Sequence, residues 1–295
     1  MSDRGQDTNH AAVVRSASAP YTAPQPATVM LNALKKLLRA QPERRSAAIP
    51  AGQRVYAVGD VHGRADLFTR LAAAIDADDA AREPAETTVI LLGDLIDRGP
   101  DSAGVIAAAR AWGERRRVRY IGGNHEELLL KALDDVDYLR VFLRYGGRET
   151  LLSYPLCPRE YQVAEFDQVQ AMMAAAIPAE DIAFVSAFED AIRIGDYLFV
   201  HAGVMPGIDL DQQQTGNLRW IREPFLSYPG DHGAVVVHGH TITDDVEVRP
   251  NRIGIDTGAY YSGRLTALAL EGTDRRLIEA RETDGLFAIH TRSIA

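Results

Sequence analysis

An α/β fold with a helical insertion is predicted by three observations. In the first half of the body, short apolar runs alternate with helical segments, the β-α-β rhythm of parallel strands joined by crossover helices. From Glu127 to about Glu189 the pattern is helical, with no β-rich run. Strands then return, and the chain ends in what reads as all-β structure.

Taken in order, residues 1–29 are rich in Ala, Ser, Thr and Pro without periodicity and read as disordered. Met30 is a candidate for the true start. Residues 30–39 read as a short amphipathic helix, with Leu31, Leu34, Leu37 and Leu38 on one face. Packing on its own domain, or fraying in solvent, is favoured there over a membrane-surface or partner-docking role, since ten residues bury little area. Residues 1–48 are thus set apart as a tail, and 49–295 as one folded domain with an inserted helical cap at about 127–189.

The body opens with a strand at Arg54–Val58 and a helix from Ala65 to about Ala77. A strand at 88–92 follows, then a helix begun by Pro100-Asp101 and running to about Gly113, with proline at a tolerated first-turn position. Val118–Ile121 is the third strand. After the insertion come strands at Tyr197–Val200, Ala234–Val237, Val246–Arg249, Arg252–Ile255, Leu265–Leu270 and Leu277–Arg281.

Five of these runs are followed at once by Asp, Asn or His beside Gly: Asp60/His62, Asp94/Asp97, Asn124/His125, His201 and His238/His240. In α/β sheets, sites form just outside the carboxyl ends of strands. Glycine beside a ligand lets the backbone turn sharply and come close. A core gains nothing from crowding two carboxylates and an arginine into Asp94–Arg98, because buried charges are costly unless paired or bound to metal. The donors are nitrogen and oxygen with no thiolate, which suits Mn, Fe, Zn or Co rather than a Cys-rich structural zinc site. Two divalent ions against Asp60, Asp94 and a hydroxide leave the centre positive, although the chain carries −9 overall, so a phosphate dianion is drawn to it.

The motifs Gly-Asp-Val-His-Gly (59–63), Gly-Asp-Leu-Ile-Asp-Arg-Gly (93–99), Gly-Asn-His-Glu (123–126), His-Ala-Gly (201–203) and Gly-His-Thr (239–241) resemble those of the calcineurin-like metallophosphoesterases. The closest likeness is to the bacterial and phage branch of the phosphoprotein phosphatases, the serine/threonine phosphatase family. Gly-Gly-Arg-Glu-Thr (146–150), Trp-Ile-Arg-Glu-Pro-Phe (220–225) and Ile-Asp-Thr-Gly-Ala (255–259) are similar to bacterial members. The resemblance implies a central β-sandwich of two mixed sheets flanked by helices. It implies two divalent ions, Mn2+ first, with Fe, Zn, Co or Ni as alternatives. Asp60 and His62 would bind the first ion, Asp94 would bridge, and Asn124, His201 and His240 would complete the second. His125 would be the general acid, held by Asp97. Arg98 would bind phosphate oxygens, with Arg222 as second arginine and Arg219 in reserve.

The expected activity is therefore a two-metal phosphomonoesterase using direct attack by activated water, acting on phosphoserine or phosphothreonine in protein or on a small phosphoester. A symmetrical dinucleoside tetraphosphate hydrolase is the alternative. A non-catalytic scaffold is the reading from another class, disfavoured because every expected ligand is present. The acidic balance argues against general nucleic-acid binding. The single Cys157 excludes an internal disulfide and fits a cytoplasmic protein. No run of about 18 apolar residues is present, so no transmembrane helix is expected.

Several conspicuous residues are expected to serve structure: His238 and Glu126 beside the site, Arg64 pairing with carboxylates, Asp256 fixing a loop, and Trp112 and Trp220 in the core. Tyr260 and Tyr261 are expected to pack a loop, with the phosphate pocket as the alternative.

Overall fold

The computed structural model describes residues 46–294; the expected tail and the 30–39 helix lie outside them, apart from residues 46–48. The first sheet contains β1 (Gln53–Val58), β2 (Glu86–Leu91), β3 (Val118–Tyr120), β9 (Arg264–Glu271), β10 (Asp274–Thr283) and β11 (Leu286–Ser293), in the order β11-β10-β9-β1-β2-β3. The second contains β4 (Ala191–Ile194), β5 (Tyr197–Val200), β6 (Val235–His238), β7 (Glu247–Val248) and β8 (Arg252–Gly254), in the order β4-β5-β6-β8-β7. Strands β1, β2 and β3 are parallel, as are β5, β6 and β8, while β4, β7, β9, β10 and β11 pair antiparallel. Both sheets are thus mixed, as expected.

Alternation along each strand decides which face meets which layer. Val55 and Ala57 of β1, Tyr197 and Phe199 of β5, Val235 and Val237 of β6, and Leu268 and Leu270 of β9 share one buried cluster between the sheets. Their neighbours Tyr56, Val58, Ala267 and Ala269 turn the other way, under the helices. There α1 (Ala65–Ala80) lays down Leu67, Phe68, Leu71 and Ile75, and α2 (Ser102–Gly113) lays down Val105, Ile106, Ala109 and Trp112. Leu198, Val200 and Val236 pack on Leu218, Ile221 and Phe225 on the outer side of the second sheet.

Between β3 and β4 the described chain is helical: α3 (Asn124–Ala132), α4 (Val136–Phe142), a kink at Leu143–Gly147, α5 (Arg148–Ser153), α6 (Pro158–Val163), α7 (Phe166–Ala176) and α8 (Ala179–Ser186). No single described helix is long and apolar enough to cross a membrane.

The elements depart from expectation in four places. Pro100 lies outside α2; the cap is Asp101, whose Oδ1 accepts from Gly104 N at 2.8 Å. Strand β4 was hidden because its partner turn, at Gly195 (φ 57°), leaves only four residues to read. β11 lies at the sheet edge with all eight residues exposed, so it carries no burial pattern.

The fourth departure is α1, which runs a turn beyond Ala77 although its last turn is acidic, against the helix dipole. Arginines from other elements offset this. Asp78 accepts from Tyr56 Oη (2.6 Å), Arg82 Nε (3.0 Å) and Arg276 Nη1 (2.9 Å), joining α1 to β1 and β10. Asp79 accepts from Arg54 Nη1 at 2.7 Å. Partial burial pushes the Asp78 carboxyl up, but these donors outweigh it and hold the group below the usual carboxylate range. A depressed folded value means the contribution to stability is present above the unfolded value of about 3.9 and fades as pH falls toward the folded value. Asp78→Asn should therefore lower unfolding stability by about 1–3 kcal/mol at pH 7. Chemical denaturation at pH 7 and again near pH 3 checks this, and the gap to the parent should narrow at the lower pH.

Candidate metal centre

The parallel strands of both sheets deliver the site from their carboxyl ends. Asp60 and His62 follow β1, Asp94, Asp97 and Arg98 follow β2, and Asn124 and His125 open α3 after β3. His201 follows β5 and His240 follows β6. The loops are tied to one another: the Asp94 carbonyl accepts from Val61 N (3.1 Å) and His62 N (2.9 Å), and Gly239 N donates to His201 O (2.8 Å).

His62, Asp94, Asp97, Arg98 and His240 all have φ between 45° and 73°. Among the described residues the only other non-glycine position with positive φ is Asp284, in the β10–β11 turn. The left-handed region is costly for side-chain-bearing residues, and such strain gathers where surroundings over-determine a functional geometry. Gly123 and Gly239 serve close approach: a Cβ on either would lie 2.1 and 2.0 Å from the carboxylate oxygens of Asp94 and Asp60.

Asp94 is at the centre. Its Oδ2 lies 3.4 Å from His201 Nε2, 3.6 Å from His62 Nε2 and 3.8 Å from His125 Nε2. His62 Nδ1 donates to Ile96 O (2.8 Å) and His201 Nδ1 to Leu92 O (2.9 Å), which fixes both tautomers and turns the Nε2 lone pairs inward. Asn124 Oδ1 is then 2.9 Å from His201 Nε2 and 2.8 Å from His240 Nδ1. Two acceptors at such a distance attract only when a proton or a cation is shared between them. Asp60 Oδ2 accepts from His240 N (3.0 Å), while Asp60 Oδ1 and His240 Nε2 are buried without a hydrogen-bond partner. Two overlapping sets, His62–Asp94–His125 and Asp94–His201–His240, each bring ligand atoms within 4.8 Å of one another. Converging lone pairs, buried ligand atoms without hydrogen-bond partners and an all-N/O set fit hard-to-borderline divalent cations.

The electrostatics follow from the same crowding. Burial raises Asp60 well above the usual carboxylate range, with the charges of Asp256 and Asp94 adding to it. Burial also works against ionised Asp94, but His201, His125 and His62 prevail and hold it well below that range. Burial lowers His240 to about 3.

A second chain of contacts leads away from Asp94. His125 Nδ1 donates to Asp97 Oδ2 at 2.6 Å. Asp97 Oδ1 accepts from Thr150 Oγ1 (2.6 Å), and Asp97 N donates to Thr150 Oγ1 (2.8 Å) and Ser102 Oγ (3.0 Å). Thr150's one proton is thereby committed, so Ser102 is the donor in the 2.9 Å contact between the two hydroxyls. Sequence reasoning missed Ser102 and Thr150 as supports of Asp97; their only signal was Thr150 closing the 146–150 motif. Arg98 donates to His62 Nε2 and His125 Nε2, both at 2.9 Å, and stacks 5.1 Å over Tyr260.

The other expectations sort cleanly. Glu126 accepts from the amides of Asp94 (2.9 Å), Leu95 (2.7 Å) and Gly123 (2.9 Å), fixing the loop. Arg64 pairs with Asp66 at 2.8 Å, and His238 packs on Phe225 away from the cluster. Asp256 Oδ1 holds Gly258 N (2.9 Å). Arg219 pairs with Asp190 (2.7 Å), whereas Arg222 lines a 620 Å³ pocket over the cluster. Asp94, Arg98, Asn124 and His240 also line it. Trp112 is in the core as expected, but Trp220 is not: it is 38% exposed and lines the pocket. Tyr260 lines it too, while Tyr261 is 59% exposed outside it.

A family model for calcineurin-like phosphoesterases matches residues 53–270. The symmetrical bis(5'-nucleosyl)-tetraphosphatase of Acidovorax sp. (strain JS42) is 31% identical over 186 residues, 62% of this chain. That match spans only about half of the relative's own length, 51%. The asymmetrical bis(5'-nucleosyl)-tetraphosphatase PrpE of Anoxybacillus flavithermus is 28% identical over 235 residues, covering 72% of this chain and 88% of that protein. A solved structure provisionally named as a diadenosine tetraphosphatase shares the fold, with TM-score 0.54, 22% identity, and coverage of 84% of this chain and 98% of that one. With motif order, sheet topology and the match over 53–270 in agreement, this chain belongs to the calcineurin-like phosphoesterase family.

Proposed function

We propose that the protein is a dinuclear-metal-dependent phosphoesterase whose substrate is a dinucleoside tetraphosphate. The observation that carries the chemistry is the convergence of Asp60, His62, Asp94, Asn124, His201 and His240, of which Asp94, Asn124 and His240 line a pocket shared with Arg98 and Arg222. The relatives' names favour the dinucleoside substrate over the phosphoserine or phosphothreonine expected first from the sequence.

In this reading Asp60 and His62 would hold one cation and Asn124, His201 and His240 the other, with Asp94 shared between them. When bound, the pair supplies a nucleophile at neutral pH and neutralises charge on the phosphoryl oxygens. Arg98 and Arg222 hold phosphate oxygens, a task suited to the guanidinium fork. His125 gives a proton from Nε2 to the departing oxygen, with Asp97 fixing its orientation through Nδ1. Burial disfavours a charged His125, but Asp94 and Asp97 outweigh it and raise its proton affinity. The Nε2 lone pair is shared with Arg98 Nη2, so a phosphate that draws Arg98 toward itself frees Nε2 to carry that proton.

The substrate assignment is tested by side-by-side kcat/KM on diadenosine tetraphosphate and a phosphoserine peptide. A preference for the dinucleotide is expected, and a preference for the peptide would overturn it. For the metal assignment, elemental analysis should find fewer ions per chain in Asp94→Asn than in Asp60→Asn; full two-ion occupancy in the Asp94 variant would remove its bridging role. His125→Asn should keep both ions. Its kcat should fall roughly 100- to 10,000-fold on an alkyl phosphate, whose leaving oxygen needs a proton. The loss on nitrophenyl phosphate should be much smaller, and equal losses would argue against a general acid.

A further inference from the structure

Resting on the dinucleoside reading of the same site, we propose that Arg144 and Trp220 form a subsite for the part of the substrate beyond the scissile phosphate. Arg144 takes the adjacent phosphate, and the Trp220 indole stacks on a nucleobase. Both line the pocket, which at 620 Å³ is far larger than one phosphate requires.

Charge bookkeeping singles out Arg144. Its neighbours on the cap are paired, Arg140 with Asp137 (2.8 Å) and Arg148 with Glu149 (3.1 Å). Arg144 has no ion pair among the described residues, and the only carboxylate lining the pocket is Asp94. Arg98 and Arg222 already offer two guanidinium forks to the terminal oxygens of one phosphate. A third arginine is surplus for a monoester, and suits a chain of phosphates.

The backbone places it there. Leu143–Gly147 is a kink between α4 and α5, where Gly146 leaves the helical conformation. Gly146 (φ 109°) presents its carbonyl to Arg98 N at 3.1 Å, so the turn that carries Arg144 and Tyr145 is pinned to the loop that carries Arg98. Trp220 supplies the flat surface. Its Nε1 donates to Glu127 Oε2 (3.1 Å), which satisfies the one polar atom and fixes the ring plane. Base–aromatic stacking is tolerant of base identity, as a site for either end of a dinucleotide needs to be.

The test uses the full chain loaded with metal, and compares diadenosine tetraphosphate, inorganic tripolyphosphate and nitrophenyl phosphate. Arg144→Gln should lose kcat/KM on the two polyphosphates by about tenfold more than on nitrophenyl phosphate, chiefly through KM. Arg144→Lys should recover part of the loss. Trp220→Leu should lose more on the dinucleotide than on tripolyphosphate, which has phosphates but no base. ADP should quench tryptophan fluorescence in the parent and not in Trp220→Leu, where only buried Trp112 remains. Losses equal across all three substrates, or quenching that survives in Trp220→Leu, would overturn the subsite. If the parent cleaves phosphoserine peptide and not the dinucleotide, the substrate reading itself fails and the subsite with it. If the parent cleaves the dinucleotide and both variants keep its substrate ratios, only the subsite fails.

Discussion

Asp94 has almost no contact with solvent, and its surroundings nonetheless hold it ionised. Burying a carboxylate without compensation is expensive. An amide from His125 donates to one oxygen (3.1 Å), and a proton or cation shared between the other oxygen and the imidazoles of His62, His125 and His201 supplies the rest of that compensation. The rest of the site is built outward from this group. His62 and His201 are oriented by carbonyls of the strand ends so that their lone pairs face it. The Asp94 carbonyl in turn holds the 61–62 loop. The strained backbone at Asp94 persists because these contacts determine its position from several sides.

The two sheets have different parts in this. The first, with its helices, is a scaffold whose three parallel strands aim Asp60, Asp94 and Asn124 at one point. The second brings His201 and His240 from across the inter-sheet core, where Phe199 and Val237 pack near Ala57 and Ile90. Residues from one sheet thus meet residues from the other where Asp94 and Asn124 approach His201, Asn124 approaches His240, and Asp60 receives the His240 amide. Packing of the sandwich and assembly of the site are the same event.

Much of this was legible in the chain. Five strand-end motifs repeat one chemistry, and strands that must bury both faces announce themselves as apolar runs, so the residues that cluster at the strand ends and most sheet elements could be read directly. β11 could not, because an exposed edge strand has no inside. Ser102 and Thr150 could not either, since a hydroxyl that orients Asp97 from 53 residues away in one case and 5 in the other leaves no periodic trace. Trp220 was assigned to the core from its residue type, a prior that the Glu127 contact and the open pocket override. Choosing between Arg219 and Arg222 needed the positions of Asp190 and Glu127, which only the tertiary structure supplies.

The helical cap meets the catalytic loop through a short seam. Gly146 O receives Arg98 N, and Thr150 bonds Asp97 at both its carboxylate and its amide. Ser153 Oγ then anchors the amide of Ala103 at 3.0 Å. α6, α7 and α8 lie further along the chain and hold none of these positions. Those outer helices are tied to the scaffold instead: Val169, Met173 and Val185 are buried in the cluster beneath α1 and α2, and Asp181 pairs with Arg110 of α2 at 2.7 Å. The cap therefore stands on two footings, one that carries its packing and one, from Arg144 to Ser153, that holds the loop of Asp97 and Arg98.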